Sequence, residues 1–289
     1  MSRTVAAHER KVGSMSTYVK APHWAEPANK LFAYQVGFTS PPHDFDAAPS
    51  DFLRIAPRSV GVHGRMMYSP EYAHQLAERT KNFDQLEEVV HAMADNGADV
   101  VGQVGSNWVH CNGTNVDDIR AFTTKLSDQY QTAFHMAGLT LVDAALALGA
   151  ERIALNSVYY WPDWRDGLAG FLESGGLAVD YAGNFVDLGM LDSQETCNDM
   201  HWCFPASFAV ESVVRTAERA PDADVIVING MPNFRNEDGL AERALHYVEA
   251  MEEAVGKPVI ASDFTLYWAI FKTLGIAPTN APGKLLGSL

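Results

Sequence analysis

The chain has 289 residues, 47% hydrophobic and 20% charged, with a formal net charge of -15. That balance is globular and the length is enough to bury a core, so wholesale disorder, collagen and coiled coil are excluded. No apolar run reaches the roughly 18 residues of a membrane span, and an acidic chain is repelled by phosphate backbones, so neither membrane nor nucleic acid is expected as a partner.

The first twenty residues are polar and lack an apolar h-region, so they are read as part of an N-terminal arm (1–30) and not as a secretory signal. LFAYQVGFTS (31–40) reads as a strand running into Pro41-Pro42. From Ser69-Pro70 a helix is predicted, with Leu86, Val89, Val90 and Met93 at helical spacing and Gly97 closing it. A buried strand follows at 99–104, a helix from about Asp117, a strand at 131–136 and a helix at 139–149. The second half repeats this grammar: strand 151–158, helix 163–174, strand 177–183, helix 206–220, strand 224–228, helix 239–255, strand 257–262 and helix 264–274. Such alternation predicts an α/β fold with parallel strands. Gly-Ala-Asp-Val-Val (97–101) leading to Gly105 is echoed by Asp-Ala-Asp-Val-Ile-Val-Ile (222–228) leading to Gly230. The expected architecture is therefore two similar lobes, 31–149 and 150–276, facing across a cleft, with a tail at 277–289.

Ligands of open α/β sheets sit beyond the carboxyl ends of the strands, which puts the weight on the loops there. Pro41-Pro42-His43-Asp44 offers a stiff wall with acid/base groups. Gly105-Ser106-Asn107 offers close backbone approach and short donors, a carboxylate cradle. Tyr159, after the 151–158 strand, can donate to an anion or act as an acid. Asn229-Gly230 is the counterpart of the second loop, and Arg235 beyond it suits a carboxylate. Of ten histidines, His43 and His135 stand closest to strand ends. No HExxH or HxH spacing supports a metal, and no GxSxG, GxxxxGK[ST] or GxGxxG is present, so no metal and no cofactor are expected. Cys111, Cys197 and Cys203 form no CxxC pair, which suits a reducing cytoplasm.

The order of VGFTSPP (36–42), GADVVGQVGSN (97–107), LGAERIALNSVYY (148–160), DADVIVINGM (222–231) and GKPVIASDFTLYWAIFKTLG (256–275) resembles the aspartate/glutamate racemase superfamily, in its arylmalonate decarboxylase and maleate isomerase branch. The resemblance implies two pseudo-symmetric lobes with the site between them. It also implies one catalytic cysteine after a strand of each lobe in isomerases, and the second-lobe cysteine alone in decarboxylases. Here Gly105 stands at the first position, as in the decarboxylases, and Gly230 or Asn229 at the second, so both thiols are missing. By position, Ser106, Asn107, Tyr159 and the backbone near Gly230 look like the carboxylate-holding groups, and Pro41 and Pro42 like the pair that shapes the pocket. The expectation is a cytoplasmic, cysteine-free enzyme acting on a small carboxylate-bearing substrate by lyase chemistry through an enediolate, with the proton supplied by His43, His135 or Tyr159. Isomerisation, hydrolysis or hydration with His43 and Asp44 activating a water, and non-catalytic carboxylate binding are the alternatives. Whether the chain forms a homo-oligomer is left open.

Overall fold

Two four-stranded parallel sheets organise the chain. The computed structural model describes residues 29–40, 46–69, 74–230 and 232–289. Pro41, Pro42 and His43, and all but the last two residues of the expected N-terminal arm, lie outside these. The first lobe runs β1 (Tyr34–Ser40), α1 (Ala48–Ile55), β2 (Val60–Met66), α2 (Leu76–Asn82), α3 (Gln85–Asp95), β3 (Val100–Gln103), α4 (Val116–Tyr130), β4 (Ala133–Met136) and α5 (Ala137–Ala147). The second begins β5 (Arg152–Asn156), α6 (Pro162–Ser174), β6 (Ala178–Gly183), α7 (Thr196–Asp199), β7 (Cys203–Pro205), α8 (Ser207–Arg219) and β8 (Val225–Ile228). It continues β9 (Asn233–Arg235), β10 (Ala241–Glu242), α9 (Val248–Val255), β11 (Val259–Ala261), α10 (Ser262–Leu274) and α11 (Gly283–Leu286).

The sheet orders are β2-β1-β3-β4 and β11-β8-β5-β6. Numbered within each lobe, both read second-first-third-fourth, so the internal echo in the sequence is a repeated topology. The echoed aspartates have a structural task in common. Asp99 accepts the Gln35 amide at 2.8 Å, and Asp224 accepts the Glu151 and Arg152 amides at 3.0 and 2.9 Å. Each carboxylate thereby satisfies backbone donors at the start of the neighbouring strand, where no ladder partner exists.

The interior strands β3, β5 and β8 are buried on both faces over Val100-Val101, Ile153-Ala154-Leu155 and Val225–Ile228, which is why these stretches read as apolar runs rather than as an alternation. Leu86, Val89, Val90 and Met93 are all buried on α3, as their spacing predicts. Three expectations are corrected. The helix predicted through 70–97 is broken at Phe83-Asp84. The helix predicted at 239–255 is helical only from Val248; before it come β10 and a 3-10 turn over Ala244–His246, because Asn236 and Leu240 close a hairpin that joins β9 to β10. Finally, α1, β2 and the small β10-β9-β7 sheet were not foreseen.

One helix joins the lobes. From Ser262 through Phe271 every residue of α10 is buried, as expected of a helix that is apolar all round. It leaves the second sheet through β11, yet its body packs on α5, β3 and β4 of the first lobe. Tyr267 meets Phe38 and Phe52 edge-on, and Phe271 stacks on Phe52. The tail returns to the first lobe, where the Thr279 amide donates to the Ile55 carbonyl at 2.7 Å. No described helix is long and apolar enough to cross a membrane.

Candidate active site

In both sheets the strand order reverses between the first and third strands, and in open α/β sheets ligands sit beyond the carboxyl ends at that point. Among the described residues, the loops at those ends are 104–109, 157–161 and 229–230. Two of their glycines carry positive φ, +96° at Gly105 and +83° at Gly230. In this left-handed region a side chain is strained, so both turns require glycine.

After Gly105 the backbone enters a 3-10 turn over Ser106–Val109, all four residues buried. Ser106 Oγ donates to Asn229 Oδ1 at 2.5 Å and accepts the Gly230 amide at 3.2 Å. Asn229 Nδ2 donates to Ser157 Oγ at 3.0 Å, with Asn107 Oδ1 at 3.5 Å. Ser262 Oγ donates to the Gly230 carbonyl at 2.5 Å. The two lobes therefore meet through a buried polar seam built from Ser106, Asn107, Ser157, Asn229, Gly230 and Ser262. His110 fixes Asn107: burial lowers its pKa to about 4, so it is neutral at neutral pH, and its Nε2–H meets Asn107 Oδ1 at 2.9 Å. This leaves Asn107 Nδ2 buried without a partner among the described residues, and Trp108 Nε1 beside Gly105 is in the same condition. Two such donors therefore lie at one turn, where a bound acceptor could pair with them.

The second lobe has no room for a thiol at its glycine. A Cβ on Gly230 would lie 2.4 Å from Tyr160 Cε2 and 2.8 Å from its hydroxyl, whereas one on Gly105 would meet nothing closer than Trp108 Cδ1 at 3.4 Å. Tyr160 is wedged in place by Trp164, stacked at 4.9 Å, and by Tyr159 at 4.4 Å. The Tyr159 hydroxyl donates to the Tyr160 hydroxyl at 3.1 Å. Neither Cys111 nor Cys197 is a reactive thiol. Burial pushes Cys111 and Cys197 up to about 11, far from thiolate at neutral pH, and Cys111 gives its S–H to the Trp108 carbonyl.

Gly105, Ser106, Asn107, Asn229, Gly230 and Tyr159 are thus gathered at the ends of β3, β5 and β8. Two predicted residues are not. His135 binds Thr273 Oγ1 at 2.7 Å; Thr273 lies eleven residues beyond Ser262, about 16 Å along α10 at 1.5 Å per residue. Burial also lowers the His135 pKa to about 4, against a weaker upward pull from Asp143, which leaves it a poor acid at neutral pH. Arg235 is exposed and donates to the Gly239 carbonyl across its own hairpin.

Two groups that sequence reasoning did not single out line the same interior. Arg243, just after β10, is 5% exposed and pairs with Asp46 at 3.2 Å. Burial opposes its charge, but Asp46, Tyr267, Asp263 and Tyr159 together hold the guanidinium protonated, above the ordinary arginine range. Asp263 opens α10 beside Ser262 and is fully buried. Its Oδ1 accepts the Phe264 amide at 2.8 Å, while Oδ2 has no partner among the described residues. Burial pushes this carboxyl up to about 7, against the downward pull of Arg243 and the Phe264 amide. No group of three or more His, Cys, Asp or Glu side chains among the described residues is placed to hold a metal.

Comparison with known proteins gives this geometry its context. No curated protein sequence matches. A crystal structure of arylmalonate decarboxylase superposes with a TM-score of 0.68 at 20% identity, covering 88% of this chain and 100% of that one. A maleate isomerase from Pseudomonas putida superposes at 0.67 and 18% identity, over 88% of this chain and 98% of that one. A maleate cis-trans isomerase from Nocardia farcinica superposes at 0.66 and 19% identity, over 88% and 97%. The family model described as arylmalonate decarboxylase matches residues 73–286. The chain belongs to the arylmalonate decarboxylase family.

Proposed function

We propose that the protein is a lyase that removes a carboxylate from a small, substituted malonate-type diacid through an enediolate intermediate, without a catalytic thiol. The observation that carries this reading is the pair of orphaned donors, Asn107 Nδ2 and Trp108 Nε1, beside Ser106 and the Gly230 amide at one left-handed turn. A carboxylate oxygen can accept from Ser106 and Gly230 in place of their bonds to Asn229 and to each other, exchanging neutral hydrogen bonds for shorter, stronger charge-assisted ones. As the C–C bond breaks, charge grows on the oxygens of the remaining carboxylate. Donors already fixed by packing stabilise that charge without reorganising, and one such donor contributes a factor of about 10²–10³ in rate. Tyr159, buried Tyr160 and Trp108 set an aromatic wall beside the turn, which suits an aryl or alkenyl substituent. The names of the structures that share the fold, an arylmalonate decarboxylase and maleate isomerases, support a small dicarboxylate as substrate. Two-thiol isomerisation is disfavoured because Tyr160 occupies the space a second-lobe thiol would need.

Proton NMR in deuterated water, with enzyme added to monosubstituted aryl- and alkenyl-malonates and to maleate, tests this. The expected result is loss of one carboxylate with a single deuteron at the α carbon. Unchanged malonates, or product carrying oxygen-18 from labelled solvent, would overturn it in favour of binding or hydrolysis.

A further inference from the structure

Resting on the lyase reading, we propose that Asp263 is the proton donor, delivering its Oδ2 proton to the α carbon in place of the absent cysteine. Asp263 follows β11 directly, at the carboxyl end of the second sheet, and its neighbour Ser262 is bonded to the Gly230 carbonyl at 2.5 Å. The residue is therefore the chain neighbour of a side chain bonded to the turn where the thiol would stand. It is 0% exposed, with Oδ1 held by the Phe264 amide and Oδ2 buried without a partner among the described residues. A protonated carboxyl with a free Oδ2 is a donor lacking an acceptor, and a bound substrate would supply one. Arg243 ties the residue to the rest of the site, since its charge is felt by both Asp263 and Tyr159.

The step balances without a co-reactant. The bond between the α carbon and the departing carboxylate breaks, carbon dioxide leaves, and the electron pair spreads over the remaining carboxylate as an enediolate. The Oδ2–H bond then breaks as the α C–H bond forms, yielding the monoacid and an Asp263 carboxylate beside Arg243. Solvent water returns the proton before the next turnover. The groups facing Asp263 divide by sign. Arg243 favours the carboxylate, whereas Asp51 on α1 disfavours it; Tyr267, one turn along α10, carries its hydroxyl well above the usual phenol range through burial and then Asp263 and Asp51. Asp46 acts through its pair with Arg243, and Tyr159 shares Arg243. A protonated Asp263 that titrates near neutrality fits an acid that must both give and regain a proton in each cycle.

The test compares wild type, D263N and D263E on whichever malonate the wild type consumes. The expected result is a kcat lower by about 10²–10⁴ in D263N, the usual contribution of a positioned acid, with KM within about threefold. In wild type, kcat should fall as pH rises through about 7. D263E should keep part of the rate and the alkaline limb, which a structural role would not produce. Wild-type turnover with D263N equally active, or with kcat flat to pH 9, overturns the assignment and leaves the lyase reading intact. No turnover of any malonate by folded wild type overturns both. If D263N does not fold, the wild-type profile and D263E still decide.

Discussion

Replacing each turn glycine by cysteine should separate two kinds of cost. At Gly105 and Gly230 the backbone is left-handed, with φ at +96° and +83°, and an L side chain there costs about 1–2 kcal/mol. Gly105→Cys should lose little more, because its Cβ meets only Trp108 at 3.4 Å. Gly230→Cys drives a Cβ to 2.4 Å from a Tyr160 ring held by stacking on Trp164. Overpacking of that kind adds about 1–3 kcal/mol, for a total of about 2–5. At roughly 2 °C per kcal/mol for a chain of this size, Gly230→Cys should melt about 4–10 °C below wild type and Gly105→Cys about 2–4 °C below. Urea and thermal unfolding of both single variants, each also made with Tyr160→Ala, measure this. Removing the ring should recover about 1–3 kcal/mol at position 230 and nothing at 105. Equal costs at the two glycines, or no coupling between 160 and 230, would refute the claim that Tyr160 fills the thiol's place.

Asp263 should also shape stability against pH. Its unfolded pKa near 3.9 rises to about 7 in the fold, so the native state holds the proton longer and stability is lost as pH climbs between those values. The loss approaches ~4 kcal/mol above pH 7; urea midpoints at pH 5 and 8 should differ by more in wild type than in D263N. Arg243→Ala leaves Asp46 buried without its cation and should cost about 3–5 kcal/mol, read by urea unfolding, with Arg243→Met/Asp46→Leu closer to wild type. His135→Ala should leave kcat within about twofold in the malonate assay, since that ring is held at the far end of α10; a tenfold loss would contradict its placement.

Much of the fold was legible because parallel strands buried on both faces and amphipathic helices leave different periods in the sequence. What escaped has physical causes. In β2 only Val60 and Gly61 are buried, so the strand shows neither a run nor an alternation. The stretch before α9 is rich in helix formers, but Asn236 and Glu242 are joined across the hairpin at 2.9 Å and tertiary pairing overrides propensity. The residues gathered at the ends of β3, β5 and β8 were legible from strand ends and glycine turns. Arg243 and Asp263 were not, because a charged residue in a sequence reads as solvated until tertiary structure buries it. His135 was misplaced by the same limit: it stands near the carboxyl end of β4, yet its side chain binds Thr273 at the far end of α10.

The helix shared between the lobes also determines how a ligand can enter. Swinging the lobes apart on a hinge would pull α10 off the first lobe and wet Leu266, Tyr267, Ile270 and Phe271, which pack on Gly102, Phe38 and Phe52. At about 1.5–3 kcal/mol per large side chain that is ~6–12 kcal/mol, comparable to the ~5–15 kcal/mol that holds a whole domain folded. A clamshell opening would therefore amount to partial denaturation, whereas a rearrangement of the loops over the strand ends would not. Exchange of substrate and product should then depend on surface segments, and residues on α10 far from the chemistry should tolerate little change even where they touch no ligand.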